Sequence, residues 1–262
     1  MLNLNNKTAI VTGGGRGIGR NVALTLARAG ANVAICGRTR ETLESTVQDL
    51  RALGVEAWSL VADVKDLAQV EAFVNFVVES AGGVDLLINN AVSSLSAPFD
   101  EQTDEHWQHH IDVKLMAYIR MARLCLPSMR ERGSGRIVNI GGMTARIVAP
   151  LRITNGIVNA GVSNFTKQLA NQVGKDGITV NCVHPGFTAT DRMMMNVERR
   201  ARDEGVSVES MLAETAKEMP LGRIIEPDDI ANTVLFFCSS LAEMVTGQSI
   251  AVDGGSGTSI NY

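Results

Sequence analysis

Short apolar runs alternate with amphipathic helical segments along almost the whole chain, and this alternation constrains the fold more than any other feature. Seven runs predict β-strands, at residues 8–11, 33–36, 57–62, 86–88, 136–140, 179–183 and 248–252. Six intervening segments have helical spacing, at residues 21–29, 40–53, 67–80, 104–132, 154–173 and 227–239. Since a strand, a helix and the next strand form a right-handed crossover, this order predicts an α/β fold. It is a doubly wound parallel sheet between two helical layers, a Rossmann fold.

The chain shows no internal linker, repeat or low-complexity tract, and its 262 residues suit one large α/β domain. We therefore predict a single domain over residues 1–262. Residues 191–220 are rich in charge, include three consecutive methionines and have a helical pattern. They follow the end of the sixth strand, where doubly wound sheets bind ligands, so they form either a lid over a ligand or a pair of solvated surface helices.

The overall composition argues against several classes of function. The net charge of -4 gives no general attraction to nucleic acid or to anionic membranes. The cysteines are far apart in the sequence, so they predict buried free thiols in a reducing compartment, and neither a disulfide framework nor a metal site. No apolar run is long enough to span a bilayer and the N-terminus lacks a signal-peptide pattern, so we expect a cytoplasmic protein.

A glycine-rich turn, Thr12-Gly13-Gly14-Gly15-Arg16-Gly17-Ile18-Gly19, joins the first predicted strand to the first predicted helix. Glycines allow a positive φ and a close approach of the backbone to a bulky anion. The helix N-terminus adds free N–H groups and a partial positive charge, which suit a pyrophosphate. In this context the turn predicts a dinucleotide site, with a plain glycine-rich turn as the alternative.

The residues after the second predicted strand indicate which dinucleotide is preferred. A carboxylate at this point would bind the ribose hydroxyls of NAD, whereas an arginine favours the 2′-phosphate of NADP. The chain has Arg38 here and no carboxylate, and Arg16 in the glycine-rich turn could add a second guanidinium. We therefore predict NADP(H) in preference to NAD(H), unless both arginines are solvated surface residues.

Five segments then carry a resemblance, at Thr12 to Gly19, Asp63-Val64, Asn89-Asn90-Ala91, Pro185-Gly186 and Val252-Asp253-Gly254-Gly255. Together they resemble the motifs of the short-chain dehydrogenase/reductase family from end to end. The resemblance implies a cofactor site of Gly13, Gly15, Arg16, Gly17, Ile18, Gly19, Arg38, Asp63, Val64, Asn90, Ala91, Pro185, Gly186 and Thr190. Asp63 and Val64 would flank the adenine, and Thr190 would face the nicotinamide carboxamide. The family also implies a homo-oligomer, a dimer or tetramer built on the two long helices and the C-terminal strand.

Family members transfer hydride between a nicotinamide and a carbonyl or alcohol. They use a Tyr acid, a Lys four residues later, a Ser after the fifth strand and an Asn on the preceding long helix. In this chain the corresponding residues are Asn155, Asn159, Gly142 and Lys114. An Asn amide donates a hydrogen bond but does not titrate, so Asn155 cannot replace a tyrosine as the acid. The two tyrosines of the chain, Tyr118 and Tyr262, lie far from this segment.

The resemblance places the family's Asn and Lys close together, and this chain exchanges them, with Lys114 on one helix and Asn159 on the other. Lys114 is therefore the plausible active group. Its ammonium could hold the cofactor ribose or polarise a substrate oxygen, and burial could lower its pKa until it acts as an acid. The alternative is a Lys114 that points to solvent or pairs with Asp112 or Asp63.

Other polar side chains are weaker candidates. A hydrogen-bonded structural role explains His184 better, and a solvated helix face explains the histidines at the start of the long helix, His106, His109 and His110. Arg146 and Arg152 either anchor an anionic substrate or are simply exposed. Thr144, two residues from the substituted Ser position, is a weak source of a hydroxyl.

Three functions are consistent with the sequence. The first is an NADP(H)-dependent carbonyl or alcohol oxidoreductase with an atypical catalytic site, acting on a small molecule that the sequence does not name. The second is a non-catalytic dinucleotide-binding pseudoenzyme or partner subunit. The third is a non-redox reaction with Lys114 as a base or Schiff-base nucleophile. The intact glycine-rich turn favours the binding of a dinucleotide, which the first two functions share, and the family resemblance favours the first of them.

Overall fold

One parallel β-sheet organises the protein. The computed structural model describes residues 2–93 and 95–258, without the side chain of Arg192. Within these ranges seven strands form a single sheet in the order β3-β2-β1-β4-β5-β6-β7, and all neighbours are parallel. The strands are β1 Thr8–Thr12, β2 Asn32–Gly37, β3 Ala57–Val61, β4 Leu86–Asn89, β5 Gly135–Ile140, β6 Ile178–Pro185 and β7 Ser249–Val252. The predicted doubly wound Rossmann sheet in a single α/β domain is confirmed.

Helices cover both faces of this sheet. They are α1 Gly17–Arg28, α2 Arg40–Ala52, α3 Leu67–Ala81, α4 Asp104–His110, α5 Ala117–Glu131, α6 Ile153–Val173, α7 Asp191–Glu204, α8 Val208–Lys217 and α9 Pro227–Cys238. Successive strand residues point to opposite faces, so Ala9 and Val11 pack with α1, α2 and α9, whereas Ile10 packs with α3, α5 and α6. The core is therefore two apolar layers on either side of one sheet.

The order of the strands creates the binding edge. The chain leaves β1 for β2 and β3 on one side, then returns to β4, β5, β6 and β7 on the other. At such a reversal the loops after the strands diverge, and a crevice opens beyond their carboxyl ends. The glycine-rich turn after β1 and the segment after β4 lie on either side of this point.

The long helix predicted at residues 104–132 is interrupted, which corrects that part of the prediction. Helix α4 ends at His110, a π-helical turn follows at Ile111–Met116, and α5 then begins at Ala117. A π-helical turn widens the helix by one residue per turn, which rotates the side chains within it. Lys114 lies in this turn and is directed into the protein interior.

The segment after β6 forms α7 and α8, as its helical pattern predicted. A small apolar cluster of Met193, Val197, Ala201 and Met211 joins the two helices. Over the described part of the chain, no helix is both long and apolar enough to cross a membrane. The four cysteines are free and buried, as predicted.

Candidate cofactor cleft and catalytic site

The turn between β1 and α1 requires glycine at several positions. Gly13 and Gly17 have φ values of +67° and +53°, in the left-handed region that side chains rarely adopt. A Cβ atom at Gly19 would overlap the carbonyl oxygen of Gly13 and the amide of Asn90. The backbone of the turn therefore lies close to the segment after β4, and the N-terminus of α1 opens beside it.

Thr12 and Asn90 fix the two sides of this opening relative to each other. The Asn90 side-chain amide donates to the Thr12 carbonyl oxygen at 2.9 Å. The Thr12 hydroxyl oxygen accepts from the backbone N–H groups of Asn90 and Ala91 at 2.9 and 3.0 Å. Because these bonds cross the strand reversal, they hold the glycine-rich turn against β4.

A cleft of about 400 Å³ opens between these segments. Twelve of the predicted cofactor residues line it, namely Gly13, Gly15, Arg16, Gly17, Ile18, Gly19, Arg38, Asp63, Val64, Asn90, Ala91 and Thr190. Pro185 and Gly186 do not line it, because Pro185 pairs with Val252 in the sheet and Gly186 packs against Asp253. A contact of these two residues with a cofactor stays a prediction.

The cleft carries positive charge where it meets the second strand. Arg16 and Arg38 both line it there, and both are exposed. Gly37 and Thr39 lie beside them. Two guanidinium groups open to solvent can bind a phosphate with paired hydrogen bonds.

The Gly142 position and Asn159 fit each other in shape. A Cβ atom at Gly142 would lie 2.6 Å from the Asn159 amide nitrogen, so this amide fills the space that a side chain at position 142 would need. The same nitrogen donates to the Thr144 hydroxyl oxygen at 2.8 Å. Asn155 and Asn159 are buried, and their side-chain Oδ1 atoms accept no hydrogen bond from the described part of the chain. These positions supply hydrogen-bonding groups and no titratable group.

Lys114 is the buried cation of this region. Its side chain is 4% exposed, its ammonium donates to the Gly141 carbonyl oxygen at 2.8 Å, and it lies 6.0 Å from the ring centroid of Tyr118. Burial lowers the pKa of Lys114 to about 8. The alternative in which it points to solvent or pairs with an aspartate is wrong. Asp112 bonds Gln108, and Asp63 accepts from the Lys65 backbone.

His184 has the structural role that its sequence position suggested. Its Nδ1 accepts from the Gly142 backbone N–H at 2.9 Å, so the ring proton lies on Nε2, 3.1 Å from the Ser163 hydroxyl oxygen. Burial, and then the charges of Arg146 and Lys114, lower the pKa of His184 to about 4. The ring is a neutral support for the turn after β5.

The remaining candidates are dispersed. Arg146 donates to the Ser249 carbonyl oxygen, whereas Arg152 is exposed beside an apolar hollow on the surface of α6. Tyr118 is buried and donates to the Ile140 carbonyl oxygen at 3.0 Å, so it takes no place in the cleft. Tyr262 lies outside the described residues. Met195 lines the cleft from α7 and is exposed, while Met193 is buried.

One pair was not found from the sequence. His109 Nε2 lies 3.2 Å from the hydroxyl oxygen of Ser93, and Ser93 lines the cleft. The solvated helix face expected for the three histidines holds for His106, whereas His109 is half-buried and His110 is buried. The available signal was the position of Ser93 directly after Asn89-Asn90-Ala91, with a histidine on the next helix of the chain.

These features define a dinucleotide-binding Rossmann domain, and comparison with known proteins identifies its family. A family model described as enoyl-(acyl carrier protein) reductase matches residues 13–257. The chain belongs to the short-chain dehydrogenase/reductase family.

Individual relatives match over nearly their whole length. A 3-oxoacyl-[acyl-carrier-protein] reductase, FabG, of Staphylococcus aureus is 35% identical over 250 residues, which are 95% of this chain and 97% of the relative. A 3alpha-hydroxysteroid dehydrogenase of Mediterraneibacter gnavus is 36% identical over 253 residues, 96% of this chain and 97% of the relative. The crystal structure of L-sorbose reductase from Gluconobacter frateurii, complexed with NADPH and L-sorbose, superposes with a TM-score of 0.95. Its identity is 31%, with 99% of each chain covered.

Proposed function

We propose that this protein is an NADP(H)-dependent oxidoreductase that transfers hydride between the nicotinamide and a carbonyl or alcohol, at a site without the Ser-Tyr-Lys set. The observation that carries the proposal is the cleft that twelve of the predicted cofactor residues line. It combines a tightly constrained glycine turn, a helix N-terminus and two exposed arginines. The glycine turn, the helix N-terminus and the two arginines together are what dinucleotide binding requires.

The residues present fit such a cofactor. A Cβ at Gly17 would have Thr190 as its nearest neighbour, 3.6 Å away, so the turn leaves room at the N-terminus of α1 for a pyrophosphate. Asp63 and Val64 would flank the adenine, and Asn90, Ala91 and Thr190 would lie towards the nicotinamide. When bound, the dinucleotide supplies or accepts a hydride.

The preference for NADP(H) rests on Arg16 and Arg38 together with the NADPH named for the L-sorbose reductase structure. Both guanidinium groups would bind the 2′-phosphate. Arg38 directly follows β2, and the lining residues on either side of it carry no carboxylate. NAD would need a carboxylate at this point.

Lys114 supplies positive charge next to Gly142, one of the positions that correspond to the family's catalytic residues. Its ammonium is bonded to the Gly141 carbonyl oxygen, so we assign it an electrostatic role and no direct contact with the ribose. A buried cation favours negative charge that develops on a nearby substrate oxygen. Lys114→Met should therefore lower kcat and leave the NADPH dissociation constant near its native value. Weaker binding of NADPH by this variant would instead support the contact with the ribose.

A second candidate function is supported by the catalytic positions themselves. Gly142, Asn155 and Asn159 contribute no acid, and loss of the acid typically lowers a rate by about 10²–10⁴-fold. A non-catalytic dinucleotide-binding protein, or a partner subunit of an intact relative, is therefore the alternative. We also propose a homo-oligomer in the cytoplasm, with α7 and α8 as a lid over the cleft.

The test separates binding from catalysis. Titration calorimetry measures the binding of NADPH and NADH to the native protein, to Arg38→Ala and to Arg28→Ala, an exposed control at the far end of α1. NADPH should bind more tightly than NADH, and only Arg38→Ala should remove the difference. Reductase assays on a carbonyl panel follow. Tight binding without turnover would establish the non-catalytic alternative, and absence of binding would contradict both functions.

A further inference from the structure

A serine and a histidine meet at the edge of the cofactor cleft. Ser93 follows β4 and lines the cleft beside Ala91 and Val92. His109 occupies the last turn of α4, and its Nε2 lies 3.2 Å from the Ser93 hydroxyl oxygen. Both side chains are half-buried. Ser93 thus lies in the wall of the cleft, and the imidazole that contacts its hydroxyl is partly open to solvent.

Among the described residues, the positions that hold the acid in other family members supply no proton to this cleft. Gly142, Asn155 and Asn159 do not titrate. The Lys114 ammonium is bonded to the Gly141 carbonyl oxygen, and Lys114 is not among the lining residues. Imidazole is the side chain that ordinarily exchanges a proton near neutral pH. His109 is within hydrogen-bond reach of the hydroxyl of a residue that lines the cleft, and a general acid with a relay requires such a pair.

We propose that Ser93 and His109 form the proton relay of this site. The inference rests on the proposed hydride transfer. In reduction, a hydride adds to the carbonyl carbon and the π bond to oxygen breaks. The substrate oxygen takes the proton of the Ser93 hydroxyl, and Ser93 takes the proton of the His109 imidazolium at Nε2. Water then restores the proton to the imidazole. Alcohol oxidation moves the same proton in the opposite direction.

In this relay a serine hydroxyl can take the role that the tyrosine acid has in other family members. Ser93 gives up one proton and receives another in the same step, so its own weak acidity does not limit the transfer. The solvent-exposed side of His109 allows the imidazole to recover its proton between turnovers. This arrangement assigns the acid to the segment after β4 and to α4, whereas Asn155 lies on α6.

The first test needs no cofactor. Nitrogen-15 NMR of the histidine side chains resolves the imidazoles of His106 and His109 in native protein and in Ser93→Ala. Loss of the hydroxyl should shift the His109 Nε2 resonance and leave His106 unchanged, because His106 bonds the Thr103 backbone on the exposed start of α4. An unchanged His109 resonance would overturn the pairing.

The second test uses turnover. His109→Ala and Ser93→Ala should each lower kcat by about 10²-fold or more, with KM and the NADPH dissociation constant near native values. Free imidazole should restore part of the kcat of His109→Ala, an effect that a merely structural role would not produce. His106→Gln is the matched control on the same helix, and it should keep native kinetics.

The outcomes distinguish the relay from the function on which it rests. Native turnover with an unaffected His109→Ala, or a loss that imidazole does not restore, would overturn the relay alone. Tight NADPH binding with no native turnover on the whole panel would overturn hydride transfer, and the relay with it.

Discussion

Side chains around the turn after β5 are matched to one another. The Lys114 ammonium binds the Gly141 carbonyl oxygen, His184 binds the Gly142 N–H, and the Asn159 amide occupies the volume beside Gly142. A Cβ at Gly141 would overlap the His184 ring, so this glycine makes room for the histidine. These residues therefore form one packed arrangement around the turn.

Gly142 and Asn159 should be coupled in stability. A Cβ at Gly142 displaces the Asn159 amide from Thr144, so Gly142→Ala should lower the free energy of unfolding by about 1 kcal/mol, the value of one hydrogen bond. In an Asn159→Ala background the same change should cost almost nothing, because the displaced group is absent. Urea unfolding of the two single variants and the double variant measures this coupling. Additive effects would show that the fit has no energetic consequence.

His184 should make stability depend on pH. Its pKa is about 4 in the folded protein and 6.5 in an unperturbed chain. Between these values the unfolded chain binds a proton that the folded protein does not, so stability is lost as the pH falls through this window. The slope for one proton is at most about 1.4 kcal/mol per pH unit. Urea unfolding from pH 7 to pH 5 should show a shallower slope for His184→Asn than for native protein. The exposed His106→Gln should retain the native slope.

At the scale of elements, the glycine-rich turn between β1 and α1 is constrained at three of its glycines. Gly13 and Gly17 need a positive φ, and Gly19 needs the absence of a side chain against Gly13 and Asn90. The first two requirements concern the backbone conformation, and the third concerns the space for a side chain. All three bring the backbone of the turn to the N-terminus of α1. The turn and the N-terminus of α1 therefore have a geometry that suits an anion without further rearrangement.

Gly19→Ala should therefore separate binding from folding. The added Cβ forces the turn away from Asn90, and overpacking of this kind typically costs about 1–3 kcal/mol. The NADPH dissociation constant should rise by about tenfold or more, since 1.4 kcal/mol corresponds to one decade. Titration calorimetry measures the affinity, and circular dichroism checks that the fold is kept. Gly174→Ala, where a Cβ meets open space, is the control.

The sequence predicted the strands and most helices to within a few residues, because each is specified by its own apolar pattern and punctuation. It did not predict the π-helical turn at Ile111–Met116, since one such turn changes the apolar spacing too little to be recognised in a single sequence. It likewise placed the twelve cleft-lining residues through local motifs. The sequence did not predict the contact between Ser93 and His109, because this contact depends on how the segment after β4 folds back on α4.

At the scale of the whole molecule, the strand reversal between β1 and β4 assembles the site from distant segments. The turn after β1 provides the anion site, the segment after β2 provides Arg38, and the segment after β4 provides Asn90 and Ser93. Helix α7 contributes Thr190 at its N-cap and Met195 from its first turns. Loops can therefore change the chemistry of the site while the sheet keeps the cofactor in place.

The exposed apolar side chains of α6 and β7 fit the predicted homo-oligomer. Ile153 and Ile157 lie exposed on α6, and Ile250 lies exposed on the edge strand β7. Apolar side chains at a subunit interface stabilise association, and a charge placed among them loses its hydration.

Ile157→Asp should therefore lower the molar mass that light scattering measures after size-exclusion chromatography. Ile157 is 55% exposed in the single chain, so a carboxylate there should leave the subunit folded and act on association alone. Met244→Asp is the matched control, because Met244 is 96% exposed and lies outside both elements. A native protein that elutes as a monomer would contradict the predicted assembly. An Ile157→Asp variant with native mass would instead place the interface on another surface. At an interface formed by α6, the buried and unpaired carboxylate would weaken association.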